Sequence, residues 1–301
     1  MRSPSWPVGS IVCGLALAAC WGGGPDATPA TCARDGGEAC FQLPTAPMIG
    51  HGESATGDAT IGCGPLVPLY APADVTISGM TKSHSGAAAV AGATITVHDR
   101  DDFTSPIVSA TSAQDGTYSL VVPAGTPDRL FVTSTAVGFV DASYANLRPD
   151  LSQAAVTDYT LWLSTEVFLD AALALVDDTW DHATASIAGF AFDCDRRKLE
   201  HAAVTVSSTS GQRDFVPGVS VFYSAGDIPL PAPPDVRGDT SVNGGAAVVN
   251  VPADGPAYLQ VWGFPDAAAL SDGEAGLVLV AEYPLTRFSG KVLAFFAWAN
   301  E

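Results

Sequence analysis

Six cysteines, five histidines and 32 carboxylates are the groups in this 301-residue chain that could ligate a metal or act in catalysis. Their spacing points to neither. Zinc sites use close-set thiolate and imidazole pairs, yet no C-x-x-C occurs and no histidine has another at i+4. The triplet His51-Gly52-Glu53 lies in a stretch without helical period, so it presents no ligand face. His98 stands near Asp99, Asp101 and Asp102, which could hold Ca²⁺ through carboxylates. In so acidic a chain a solvated turn explains them better. In Asp193-Cys194-Asp195 the flanking acids disfavour a thiolate, so this cysteine reads as structural. G-x-S-x-G, H-E-x-x-H and nucleotide-binding loops are missing. The expectation is no catalytic residue, no metal and no cofactor. Sugar stacking is the remaining chemistry, offered by Trp162, Trp180, Trp262, Trp298 and Tyr258. Trp262, in the strand end Gln260-Val261-Trp262-Gly263-Phe264, is the best candidate for an exposed ring, with Tyr258 as a second candidate ligand contact.

The cysteines first need a compartment. Val8 to Ala19 carries no charge and follows Arg2. It is too short for a bilayer span of about 20 residues, but it suits the core of a secretory leader. Leu17-Ala18-Ala19-Cys20 closes the run and resembles a bacterial lipobox. That resemblance implies cleavage after residue 19, lipidation of Cys20 and an exported, membrane-anchored protein. Two or more acyl chains on one cysteine hold a membrane firmly. Trp21, rather than Asp, after the cysteine implies the outer membrane. Cys13 leaves with the leader and Cys20 carries lipid, so Cys32, Cys40, Cys63 and Cys194 remain. An even number in an oxidising compartment suits disulfides. Three pairings are open; Cys32–Cys40 with Cys63–Cys194 is the favoured one.

Composition narrows the partners. Thirteen basic residues face 32 acidic ones, for a net charge of −19. Such a surface repels polyphosphate, which binds through basic residues that displace counterions. Nucleic acid is therefore excluded as a partner. Apolar residues reach 47% and charged ones only 15%, so the chain can bury cores.

The elements follow from patterning. Residues 20–62 are rich in Gly, Pro, Ala and Thr and read as a flexible, disordered tether. From Val75 short alternating runs are separated by turn signals, the pattern of a β-sandwich. Ala93, Ile95 and Val97 share one strand face; Tyr118, Leu120 and Val122 share another, after the turn Asp115-Gly116. The order then recurs. Val75–Gly79 is answered by Ala185–Gly189, Ala93–Val97 by Ala202–Val206, Val121–Ala124 by Asn250–Ala253, and Gly138-Phe139 by Gly263-Phe264. The second copy is longer around Ile228–Pro234, a stiff proline-rich loop. Between the copies Leu169, Leu173, Val176 and Trp180 recur at helical spacing, predicting one connecting helix over 165–180. Ser164 or Thr165 can cap it.

Residues Ile77-Ser78-Gly79, Val90–Val97 and Asp115–Gly125 resemble the carboxypeptidase regulatory-like domain, over about residues 75–140. The resemblance implies a transthyretin-like, or prealbumin-like, sandwich of about seven strands. In that family the module accompanies a zinc peptidase, for which this chain has neither room nor an H-x-x-E. The second copy departs from the pattern: Lys198–Ala202 replaces the V-A-G-A stretch and Gly244-Gly245-Ala246 replaces D-G-T-Y. The expected chain is all-β. It runs as a leader (1–19), a tether (20–62), a first sandwich (63–150), a connector (151–183) and a second, divergent sandwich (184–301). Its expected role is non-enzymatic: a cell-envelope lipoprotein, held to the membrane by its N-terminal lipid, that meets an envelope protein. The alternative is polysaccharide binding through exposed aromatics, since some starch-binding modules share the fold.

Overall fold

The structure is a computed structural model and describes residues 41–52, 56–63, 69–99, 105–147, 149–224, 231–232, 238–252, 254–285 and 291–299. The leader, Cys20, Cys32 and Cys40 lie outside the described residues. The chain is all-β and divides into two compact units. Unit 1 is built on Pro68–Leu169, and unit 2 on Pro29–Val67 together with Asp170–Glu301.

The first two strands, β1 (Ile49–His51) and β2 (Thr56–Asp58), belong to unit 2 although they precede unit 1 in the chain. This departs from the reading of residues 20–62 as a tether throughout. Isolated strands of three residues have no stability of their own, so these two exist through their partners in unit 2.

Unit 1 is a sandwich. One antiparallel sheet has the order β5 (Pro106–Thr111), β4 (Thr94–Asp99), β7 (Leu130–Thr135), β8 (Ala142–Leu147). The other centres on β3 (Val75–Ser83), which pairs antiparallel with β6 (Thr117–Val122). On its far side β3 pairs in parallel with β9 (Ala155–Val156) and β10 (Leu161–Leu163). Alternation builds the interior. Tyr118, Leu120 and Val122 point inward from β6 while Thr117, Ser119 and Val121 face solvent. Ile77, Tyr118, Leu120 and Leu161 of one sheet meet Ile95, Val97, Leu130 and Val132 of the other around a small void. The buried phenols are satisfied: Tyr118 donates to the Tyr159 carbonyl at 2.7 Å and Tyr144 to that of Trp162. Burial pushes both phenols above the usual tyrosine range.

Asp115-Gly116 makes a tight turn but not a hairpin, because β5 and β6 lie in different sheets. Ser112 explains the switch. Its hydroxyl donates to the Val90 carbonyl and accepts from the Ala93 N–H, holding the end of β5 to the approach to β4. Gly116 then turns with φ of 80° and its carbonyl accepts from Thr81 N–H, delivering the chain to β3.

Unit 2 repeats this plan. One sheet runs β15 (Pro231–Ala232), β14 (Ser220–Ser224), β16 (Gly245–Val251), β11 (Ala185–Phe192), β19 (Val292–Trp298). The second is β13 (Ala203–Ser207), β17 (Tyr258–Gly263), β18 (Val278–Pro284). The main ladders of the two units correspond. Val75 opposite Val122 is matched by Ala185 opposite Val251, and the β4–β7 ladder by the β13–β17 ladder. The parallel pairing of β3 with β10 is matched by that of β11 with β19. One strand differs: β5 pairs β4, whereas its counterpart β14 pairs β16. A strand at the sandwich corner can join either sheet.

The connecting helix α1 spans Glu166–Ala174, shorter than the predicted 165–180. Thr165 caps it, its hydroxyl accepting from the Phe168 N–H. The other end closes as a Schellman turn: Asp178 N–H donates to the Leu173 carbonyl and Asp177 takes φ of 59°. The apolar spacing runs on past this point. Leu173, Val176 and Trp180 are all buried, so a helical stripe continues as a turn and a loop. A second, five-residue helix α2 (Ala267–Ser271) is capped by Asp266.

Candidate functional site

The best-built constellation outside the two cores is where residues 41–52 and 56–63 strap onto unit 2. Four attachments hold this strap. Met48 is 1% exposed, and its N–H donates to the Phe264 carbonyl at 2.9 Å. Gly263 leaves the space for it, since a Cβ there would overlap the Met48 sulfur. β1 then pairs antiparallel with β12 (Lys198–Glu200), Gly50 opposite Leu199. The third attachment is a buried ion pair. Asp193 is fully buried; its Oδ2 accepts from Arg197 Nε at 2.9 Å and from the Thr60 N–H at 3.2 Å. Its Oδ1 accepts from the N–H groups of Asp195 and Arg197. Arg197 Nη2 donates in turn to the Asp58 carbonyl and the Thr60 hydroxyl. Gly50 passes beside this pair, and a Cβ there would come within 2.6 Å of Asp193 Oδ2. The fourth is covalent: Cys63 and Cys194 form a disulfide with Cα atoms 6.0 Å apart.

Beside the strap, imidazoles and carboxylates alternate in a row. His51 Nε2 lies 2.7 Å from Glu200 Oε2, and His201 Nδ1 lies 3.1 Å from Asp239 Oδ2. His201 Nε2 is 4.0 Å from Glu200 Oε1. The donors run along a line and do not surround a point. No group of three among the described residues could hold a metal ion. The chemistry is that of a cross-link between β1 and β12.

In unit 1, His84 stacks with Trp162 and with Phe168, with ring centroids 5.3 and 5.8 Å away and planes inclined by 27° and 14°. Its Nδ1 is 2.9 Å from the Ser164 hydroxyl. Both aromatic rings lie against the imidazole, yet the residue as a whole is exposed. Loss of hydration lowers its pKa to about 4, against a smaller opposing effect of the Leu163 backbone. Lys82, opposite Trp162 in the ladder, places its amine 5.9 Å from the indole. Trp162 as a whole is half-buried.

Trp262 has to be corrected as a ligand contact. It is 9% exposed, and its Nε1 donates to the Thr205 hydroxyl at 3.0 Å. Thr205 bonds Gln260, and Gln260 bonds Glu282, whose carboxylate also accepts from Ser210 and Gly211. Burial opposes ionisation of Glu282, but these hydrogen bonds together hold it below the usual glutamate range. This polar net occupies the sheet face that was expected to carry an exposed ring. Tyr258, four residues earlier, is half-buried at the strand's other end. His98 lies at the end of β4 near the Phe131 ring, while residues 100–104 are outside the described residues. Sequence reasoning missed the strap, because Asp193 and Arg197 look like ordinary surface charges. The signal available was a buried-type turn, Asp193-Cys194, requiring a partner for its cysteine.

No family model matches the sequence, and no curated protein matches it. Solved structures do align. The Bacillus anthracis TIE protein is 11% identical with a TM-score of 0.24 over 76% of this chain, and the match spans 35% of that chain. The shaft pilin SpaA from Lactobacillus rhamnosus GG is 10% identical, with a TM-score of 0.22 over 76% of this chain and 98% of its own. A DUF3823 family protein from Parabacteroides merdae is 10% identical, with a TM-score of 0.21 over 64% of this chain and 90% of its own. The sandwich architecture of the present chain rests on its own strand pairing.

Proposed function

We propose that this protein is an exported, lipid-anchored component of the bacterial cell envelope. Its two prealbumin-like sandwiches serve a structural or protein-interaction role, without catalysis. The observation that carries the reading is the Cys63–Cys194 disulfide. Stable disulfides belong to oxidising compartments, and this one follows a leader-like segment ending in the lipobox-like Leu17–Cys20. A tether that becomes a strap fits a protein held from its N-terminus. The resemblance of residues 75–140 to the carboxypeptidase regulatory-like domain supports a module used for spacing or contact. No helix among the described residues is long and apolar enough to cross a membrane; in this reading the attachment is the Cys20 lipid. Anchoring on the outer membrane is tested by metabolic labelling with palmitate followed by membrane fractionation. Label lost in Cys20→Ser supports the reading; label that survives the substitution rejects it.

A polysaccharide-binding role is the second reading, and one observation moves it from unit 2 to unit 1. Trp162, not Trp262, keeps a side in solvent, with Lys82 beside it. Affinity electrophoresis in gels of envelope polysaccharide tests this. Retardation abolished by Trp162→Ala favours it, and unretarded migration of the parent protein ends it.

A further inference from the structure

The chain does not simply thread from one sandwich into the next. It binds unit 2 first, through the strap, leaves to build unit 1, and returns at Asp170 to complete unit 2. Cys63 and Cys194 close this excursion, and 131 positions separate them. Unit 1 therefore lies inside a covalent loop whose neck is a sulfur–sulfur bond on unit 2.

From this topology we propose that the strap and disulfide form a force-arresting clamp. Tension applied between the N-terminus and the C-terminal end enters along residues 41–63. It then crosses the disulfide to Cys194, just beyond the end of β11, and runs on toward the C-terminus, bypassing unit 1. The shortest covalent path between those two ends omits residues 64–193, so these residues carry no load while the bond is intact. The non-covalent attachments form a first stage. The three-residue β1–β12 ladder, the Met48 socket and the Asp193–Arg197–Thr60 contacts can peel before the covalent stop engages. Peeling residues 41–63 releases about 80 Å at roughly 3.5 Å per residue. The same arithmetic hides about 450 Å of chain behind the disulfide. Unit 1 could then keep its fold, and any bound partner, while the anchor is under strain. The source of that strain rests on the anchored reading above, but the clamp itself does not.

Single-molecule pulling tests the clamp on the full mature chain, with Cys20→Ser for solubility and handles at both termini. The expected oxidised trace contains a short early step from the strap and the steps of unit 2. The Cys63→Ser/Cys194→Ser double variant gains about 450 Å of contour length, including the step of unit 1. Equal lengths in the two proteins, or a unit 1 step in the oxidised chain, overturn the proposal. Because the double variant could unfold, the oxidised protein is also digested without reduction and its cross-linked peptides sequenced. Cys63 joined to Cys194 supports the clamp, and Cys63 joined elsewhere or free refutes it. Loss of palmitate labelling at Cys20 would remove the anchor and leave both of these results standing.

Discussion

Removing the Cys63–Cys194 bond should weaken unit 2 far more than unit 1. Chain-entropy reasoning gives the scale. A cross-link spanning 131 positions restricts the unfolded chain by about 17 cal/mol/K, or about 5 kcal/mol at 25 °C. Unit 1 can stay folded while unit 2 unfolds, which shortens the free part of the loop, so an effect of about 3–5 kcal/mol is expected. With urea m-values of roughly 1–3 kcal/mol/M for domains of this size, the unit 2 midpoint should fall by about 2 M in Cys63→Ser/Cys194→Ser. The assay is urea unfolding followed by hydrogen-exchange mass spectrometry, which assigns each transition to peptides of one unit. The unit 1 midpoint should stay within about 0.5 kcal/mol, the range of substitutions remote from a fold's own contacts. A unit 2 loss below about 1 kcal/mol, or a loss falling mainly on unit 1, refutes the assignment of the strap to unit 2.

Three further outcomes follow from the same contacts. Asp193→Ala strands the Arg197 guanidinium and should cost unit 2 about 3–5 kcal/mol; limited proteolysis should then cut within residues 41–62, and unchanged protection would count against the strap. Burial lowers the His84 pKa in the folded state from the usual 6.5 to about 4, so the unfolded chain binds more protons between those values. Unit 1 should therefore lose stability as pH falls from about 6.5 to 4, by less than about 1 kcal/mol because solvent reaches the residue; an imidazole NMR titration centred near 6.5 would contradict this. Trp262→Phe removes the indole donor from the buried Thr205 hydroxyl and should cost about 1–3 kcal/mol in thermal unfolding; a neutral result would mean the indole N–H is not held there.

What could be read from the sequence was whatever one strand's own pattern specifies. The alternation in Tyr118, Leu120 and Val122 declares an inward face, and the recurrence of Val75–Gly79 in Ala185–Gly189 announces the second copy. The first rests on period-two burial within one strand and the second on a repeated order of residues, and both can be read without knowing a partner strand. The strap was not legible because its strand state is not local. Ile-Gly-His and Thr-Gly-Asp are short and carry the weak strand formers Gly and Asp; the first becomes a strand by pairing with Lys198–Glu200 and the second by pairing with the first. Trp262 was misplaced for a related reason: an aromatic ring at a strand end declares amphipathic surface, but Thr205, which accepts its indole N–H, stands 57 positions away on a different strand. The helix was overextended because Leu173, Val176 and Trp180 keep helical spacing beyond Asp177, where the backbone turns left-handed. The Cys63–Cys194 pair was favoured among three pairings, and no residue near either cysteine identifies the other.

The central claim is an exported, N-terminally anchored chain whose tether is clamped to the C-terminal sandwich. Non-reducing peptide mass spectrometry of the native protein, taken from the envelope fraction, tests it most directly. The account predicts a mature N-terminus at an acylated Cys20 and a peptide containing Cys63 disulfide-linked to one containing Cys194. Free thiols at Cys63 and Cys194, with Met1 and the first 19 residues retained, would contradict it.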